Sequence, residues 1–344
     1  MVGVAPRHIL FCCIVTVVAV LVGGCDANPP GRRADVDRLT QQLRTMPGVQ
    51  TASDEVADSK AQGLVYLRVY VDVADDITAD QLAAITSRYL QGLHAVDYTG
   101  YKAELDARRG WSVFAVDSGE LPITNGDQIV QQARDWVALR HAFPGSTIGL
   151  RATVTHPKKA FPVQEWGHSN VATIALPDAA DYIAAAAAVN TLATAFPQLT
   201  AFGWTISAGK QHPAYIQTSR RLPNPQEMDV WNKLNADQSI AHIDKMTING
   251  QSVPPVWLLE KTTQSHEVDV AVQLARQHLP IAATLPPPVL YTASDSISGH
   301  IGASGHARGP VAVTIGGCTF RELWQYRPTP PEQALINAYE KCPR

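Results

Sequence analysis

A helical apolar face ending in Pro-Gly occurs twice in this chain, roughly 100 residues apart. The same order of elements follows each time. In the first copy Val36, Leu39, Leu43 and Met46 recur at helical spacing, and Pro47-Gly48 stops that helix. From Leu64 to Val73, Val65, Leu67, Val69, Val71 and Val73 alternate with other residues, which marks a strand with one buried face. Thr78 then caps a helix with Leu82, Ile85, Tyr89 and Leu90 on one side. Tyr101 to Ala107 reads as a closing strand. The order is α-β-β-α-β.

The second copy presents Ile129, Val130, Ala133, Trp136, Val137 and Phe143 as a helix face stopped by Pro144-Gly145. Strands are expected near 147–155 and 171–176, a helix opened by Asp178 or Asp181, and a strand at 202–206. The third starts with Pro225 at a helix N-terminus, where its missing N–H does no harm. Strands at 240–248 and 255–260 follow. Ser265 is placed to cap a helix with Val268, Val272, Ala275 and Leu279 on one face, and 289–292 closes the unit. The expected fold class is α+β: about three α-β-β-α-β units over residues 34–123, 124–222 and 223–344, with small sheets covered by helices. One large α+β domain is the alternative. This element order resembles the BON domain of bacterial envelope proteins, and is close to the ferredoxin-like sandwich. The resemblance covers most of the chain and rests on topology. It implies a binding or attachment module at a membrane; fold alone assigns no chemistry.

Of 344 residues, 45% are hydrophobic and 17% charged, and the formal net charge is -3. Apolar content is sufficient for a core, so the bulk is neither disordered nor a multi-span membrane protein. The near-neutral balance speaks against a nucleic-acid partner, which asks for a basic excess or stripe.

The N-terminus specifies a compartment. Arg7 and His8 precede an uncharged run from Ile9 to Val22, too short to span a bilayer as a helix. A basic start, a short apolar run and then small residues is the pattern of a secretory signal. Leu21-Val22-Gly23-Gly24-Cys25 follows, and it resembles the lipobox of bacterial lipoproteins, with Gly23 where Ala, Ser or Thr is commoner. The resemblance implies diacylglycerol on the Cys25 thiol and removal of residues 1–24 by signal peptidase II. A second acyl chain such as palmitate on the new amino terminus would make the anchoring stable. Residues 25–33 are then expected to be a lipidated tether, since Pro29-Pro30-Gly31 is a poor start for a helix or strand. The expected partner is the membrane, with the body on the extracytoplasmic face.

Cys12 and Cys13 leave with the signal, which sets Cys318 and Cys342 apart as an even pair in an exported chain. A disulfide between them is the expected arrangement, pinning a last helix near 331–341 onto the strand before it. A metal pair or two free thiols are the alternatives.

Among candidate sites, the segment 298–309 repeats Ser-Gly-His and contains His300, Ser304, His306 and Arg308. Glycine-rich backbone and an arginine suit an anion, and two histidines suit a metal. The segment matches neither the phosphate-loop nor the dinucleotide fingerprint, and Ser304 is in no Gly-x-Ser-x-Gly elbow. A flexible loop is the simpler reading. The insertion at 157–169, with Trp166 and His168 after His156, reads as a long hairpin connection. Asp75-Asp76 reads as a polar turn. Trp111, Trp136, Trp204, Trp231, Trp257 and Trp324 are expected to pack in or beside the core. No metal site, cofactor or catalytic constellation is expected. The functional expectation is a lipid-anchored, non-catalytic binding or scaffold protein of the envelope. The alternatives are a carrier of an apolar ligand, or an envelope hydrolase using the 298–309 loop.

Overall fold

The computed structural model describes residues 31–59, 64–98, 100–119, 121–156, 171–248, 254–295, 310–321 and 327–342. Helices alternate with strand pairs along the chain. α1 (Arg33–Arg44) precedes β1 (Val49–Ser59) and β2 (Leu64–Val73). α2 (Ala79–His94) precedes β3 (Tyr101–Arg109) and β4 (Ser112–Gly119). α3 (Gly126–Ala142) leads to β5 (Thr147–Arg151) and β6 (Val171–Ala175). α4 (Tyr182–Ala195) leads to β7 (Gly203–Ser207) and β8 (Tyr215–Thr218). α5 (Pro225–Ala236) comes before β9 (His242–Ile248) and β10 (Val256–Thr262). α6 (Val268–Ala282) comes before β11 (Val289–Ser294) and β12 (Val311–Ile315), and α7 (Pro330–Tyr339) ends the described chain.

The twelve strands among the described residues join one sheet in sequence order. Strands joined directly pair antiparallel, and strands joined through a helix pair parallel, from β2–β3 to β10–β11. The reason is reach: a direct connection reverses the chain, while a parallel neighbour needs a crossover, which each helix supplies. The pairing register carries one apolar face across the sheet: Val69 to Leu105 to Val116, Phe114 to Leu150, Ile174 to Ile206, Ile216 to Met246, and on to Leu258, Tyr291 and Val313. These side chains are buried in one continuous core.

The fold is mixed α and β, but the small separate sheets expected from the sequence are one sheet. Each expected closing strand is followed by a further antiparallel strand, β4, β8 or β12, and parallel pairing of β4 with β5 and β8 with β9 joins what would otherwise be sheet edges. The β3–β4 turn is Gly110-Trp111, with Gly110 at φ +56, so a two-residue hairpin follows the strand without a break. This corrects the expectation for Trp111, which stands 91% exposed on that turn. Trp136, Trp204 and Trp231 are buried as expected. A smaller correction is that Arg33, expected in the tether, opens α1 and pairs with Asp37 and Asp54.

The caps follow local chemistry. Thr78 and Gln81 form a capping box on α2, Asn224 and Glu227 one on α5, and the Asp181 carboxylate accepts from the N–H groups of Ile183 and Ala184. The N-cap of α6 is Glu267 and not Ser265 as expected: the Ser265 hydroxyl accepts from the Glu267 N–H, and the helix opens at Val268. Both sheet edges are guarded. On β1, Arg44 donates to the Ala52 carbonyl and Asp54 turns inward; on β12, Arg321 donates to the Ala312 carbonyl.

Candidate functional site

In the C-terminal third of the sheet the core face turns polar. On β9, His242 and Asp244 occupy the same alternating face as Met246 and Ile248. On β10, Glu260 follows Val256 and Leu258 on that face, and on β11 Tyr291 lies between Val289 and Ala293. Above them, His278 sits on the buried stripe of α6 with Ala271, Leu274, Ala275 and Ala282. Asp237, the C-cap of α5, reaches in from the side. On β2, by contrast, the corresponding face carries valine and leucine throughout.

The side chains form two linked ion pairs. His278 Nδ1 lies 2.8 Å from Glu260 Oε1, and the Tyr291 hydroxyl donates to Glu260 Oε2. On its other side His278 Nε2 lies 3.4 Å from Asp237 Oδ2, within ion-pair range though not aligned as a hydrogen bond. His242 Nδ1 donates to the Ile240 carbonyl at 2.6 Å, and its Nε2 is 3.3 Å from Asp244 Oδ2. The two imidazoles meet edge-to-face with centroids 5.0 Å apart. Each ring makes one hydrogen bond, through Nδ1, and turns Nε2 toward a carboxylate at 3.3 Å (His242) or 3.4 Å (His278) without hydrogen-bond alignment, an arrangement that attracts a second proton.

Electrostatics agree with the geometry. Burial opposes charge on His242, but the close Asp244 carboxylate outweighs it and carries the imidazole up to about 9. For His278, burial is likewise the largest single influence and acts downward, while Glu260 turns the net direction upward. Burial pushes the Glu260 carboxyl up against the pull of His278, and burial raises the Tyr291 phenol. Glu260, His278 and Tyr291 are fully enclosed. Among the described residues His242 and His278 are closed off from solvent, and Asp237 lies at the margin of the cluster with its side chain 38% exposed.

This cluster is not among the sites expected from the sequence. Its signal was present as polar residues in phase with apolar ones: His278 on the stripe of Ala271, Ala275 and Ala282, and His242 and Asp244 in step with Met246. Of the residues singled out from the sequence, Cys25 and the segment bearing His300, Ser304, His306 and Arg308 lie outside the described residues. So do Trp166, His168 and Trp324. Asp295, just before the 298–309 segment, pairs with the exposed His266 at 3.1 Å. Asp75 does lie in a turn, and pairs with Arg109.

Cys318 and Cys342 stand at disulfide distance, with sulfurs 2.09 Å apart, and so fasten the end of α7 beside β12. Next to them Arg321 grips Glu340 with both guanidinium nitrogens at 2.6 and 3.0 Å. The Thr314 N–H and the Thr319 hydroxyl also donate to that carboxylate.

The face of the sheet away from the helices has its own chemistry over β1 to β4. Arg68 pairs with Glu104 at 2.9 Å, and the Tyr70 hydroxyl donates to Glu55 at 3.2 Å. The Arg108 guanidinium lies 4.3 Å above the Tyr70 ring, and the Lys102 ammonium 5.7 Å from that of Tyr66. A shallow groove of about 200 Å³ runs over Glu55, Ala57, Tyr66 and Arg68. A second, about 160 Å³, lies between α1 and α2 beside Arg38 and Arg88. Both are smaller than the usual small-molecule pocket.

Among the described residues no helix is long and apolar enough to cross a membrane. No protein-family model matches the chain, and comparison with curated proteins and with solved structures finds no match.

Proposed function

We propose that this chain is a lipid-anchored, extracytoplasmic envelope protein that works as a binding or scaffold module. The observation that carries the binding reading is the asymmetry of the sheet. Its helices cover one face, and over β1–β4 no described element covers the other, where Tyr66, Arg68, Tyr70, Lys102 and Arg108 are in contact with carboxylates and one another. Tyrosines in such ladders offer rigid, amphipathic contact area at small entropic cost, and the arginines beside them supply charge and hydrogen-bond donors. The sealed state of the His242–His278 cluster is consistent with a role in holding the body together. The anchor reading rests on the Leu21–Cys25 lipobox. On the same footing we read the helix-and-hairpin alternation as three successive copies of one plan, at 34–123, 124–222 and 223–344, each one strand longer than the α-β-β-α-β order.

Two experiments test the reading. Cys25→Ala should abolish metabolic acyl labelling and release the protein from the membrane fraction; retention with label would overturn the anchor. A photo-crosslinking residue placed at Tyr70 should capture an envelope component in living cells, and Arg68→Glu in the same background should abolish the capture. Equal capture from an exposed helix position such as Arg88 would overturn the face assignment.

A further inference from the structure

We propose that His242, His278, Asp244, Glu260 and Asp237 form a charge lock that clamps α6 onto β9–β11 while both imidazoles are protonated, and that loosens this end of the sheet when they lose their protons. Asp244 and Glu260 are direct cross-strand partners, and both point into the covered core. Two carboxylates so placed repel each other. The described groups that compensate them are the imidazoles, one beside each carboxylate, at 3.3 Å for His242 and 2.8 Å for His278. Asp237 adds a third negative charge on the far side of His278.

Among the described residues, three of the elements around α6 turn charges to the rings. β9 supplies Asp244, β10 Glu260, and the end of α5 Asp237. β11 supplies the neutral Tyr291, whose hydroxyl is held by Glu260. β12 turns the apolar Val311 and Val313 to the core. α7 buries Glu332, which closes the capping box of its own helix with Thr329. With both rings protonated, two positive charges meet three negative ones. With both rings neutral, Asp244 and Glu260 remain face to face in a sealed, low-dielectric interior, a state that favours opening. The direction follows from linkage. A ring whose proton is held more tightly in the folded than in the unfolded state stabilises the fold below the ordinary histidine range, and that stabilisation is lost as pH rises through the folded value. The lock is therefore closed near pH 6 and weakens toward pH 9.

Native-state hydrogen exchange of the full chain between pH 6.5 and 9 tests this. After correction for intrinsic exchange, protection of β9–β11 and α6 should fall by about tenfold or more relative to β2–β3. Parallel loss in both regions would overturn the proposal. A variant that fails to fold does not remove the test, because histidine ring titration by NMR needs only the native protein. Two imidazoles should hold their protons above the ordinary histidine range, and His242→Gln and His278→Gln should each delete one of those signals. All rings titrating at or below about 6.5 would overturn it.

Discussion

Asp244 on β9 stands directly opposite Glu260 on β10, and both carboxylates face the helix-covered core. Such a pair of like charges is tolerated because each has an imidazole against it. Breaking one partnership should therefore cost more than removing a partnership whole. His278→Leu leaves Glu260 buried and uncompensated and should destabilise by about 3–5 kcal/mol in urea unfolding. The double variant His278→Leu/Glu260→Leu removes both charges and should lose less than the single, even with the Tyr291 hydroxyl left without its acceptor. A double variant weaker than the single would show that the pair is worth more than its burial costs.

Three tyrosines should resist base. Burial is the first cause in each case: it raises Tyr89 and Tyr291 well above the ordinary phenol, and Tyr98 to about 12. Because these phenols are harder to ionise folded than unfolded, they favour unfolding as pH rises above about 10. Absorbance of phenolate in the folded protein at pH 11 should account for no more than seven of the ten tyrosines, and the remainder should appear together with loss of far-UV signal. Early, independent ionisation of all ten would contradict the burial.

Much of this fold was legible because local signals agreed with the final packing. Thr78, Asp181 and Pro225 mark helix starts, and the valines of β2 alternate as a half-buried strand should. What escaped was the way units join. Nothing local in β4 or β8 says that its outer edge takes a parallel neighbour, because that pairing depends on a crossover helix many residues away. The polar cluster escaped for another reason. His242, Glu260 and His278 lie in three separate elements, and each alone reads as an ordinary polar residue among apolar ones. Their meaning comes from the β9–β10 register and the docking of α6, which no single stretch of sequence contains.

Reducing the Cys318–Cys342 bond should weaken the C-terminus without releasing it. The closed loop spans 24 positions, for which chain entropy gives about 3 kcal/mol. Yet α7 keeps other holds on β12: the Gly316 N–H donates to the Tyr339 carbonyl, the Lys341 N–H to the Gly317 carbonyl, and Arg321 grips Glu340. Calorimetry with and without reductant should show a lower melting temperature and a single folded species. Adding Arg321→Ala to the reduced protein should free α7, read as rapid exchange of its amides. Loss of α7 protection on reduction alone would mean that the disulfide is the only effective fastening.

Two tryptophans on neighbouring elements make a direct contrast. Trp136 of α3 is fully buried, its indole N–H donates to the Ile148 carbonyl at 3.1 Å, and Arg140 lies 4.9 Å over its ring. Trp111, on the β3–β4 turn, is almost wholly in solvent. Trp136→Ala removes a large core side chain and a satisfied hydrogen bond, so it should cost about 3–5 kcal/mol. Trp111→Ala should change stability by less than about 0.5 kcal/mol. Denaturant midpoints of the two variants measure this directly, and emission spectra give an independent check. Native fluorescence should lose a red, water-quenched component in Trp111→Ala and a blue component in Trp136→Ala. A strongly destabilised Trp111→Ala would place that indole in a packed environment and contradict its position on the hairpin tip.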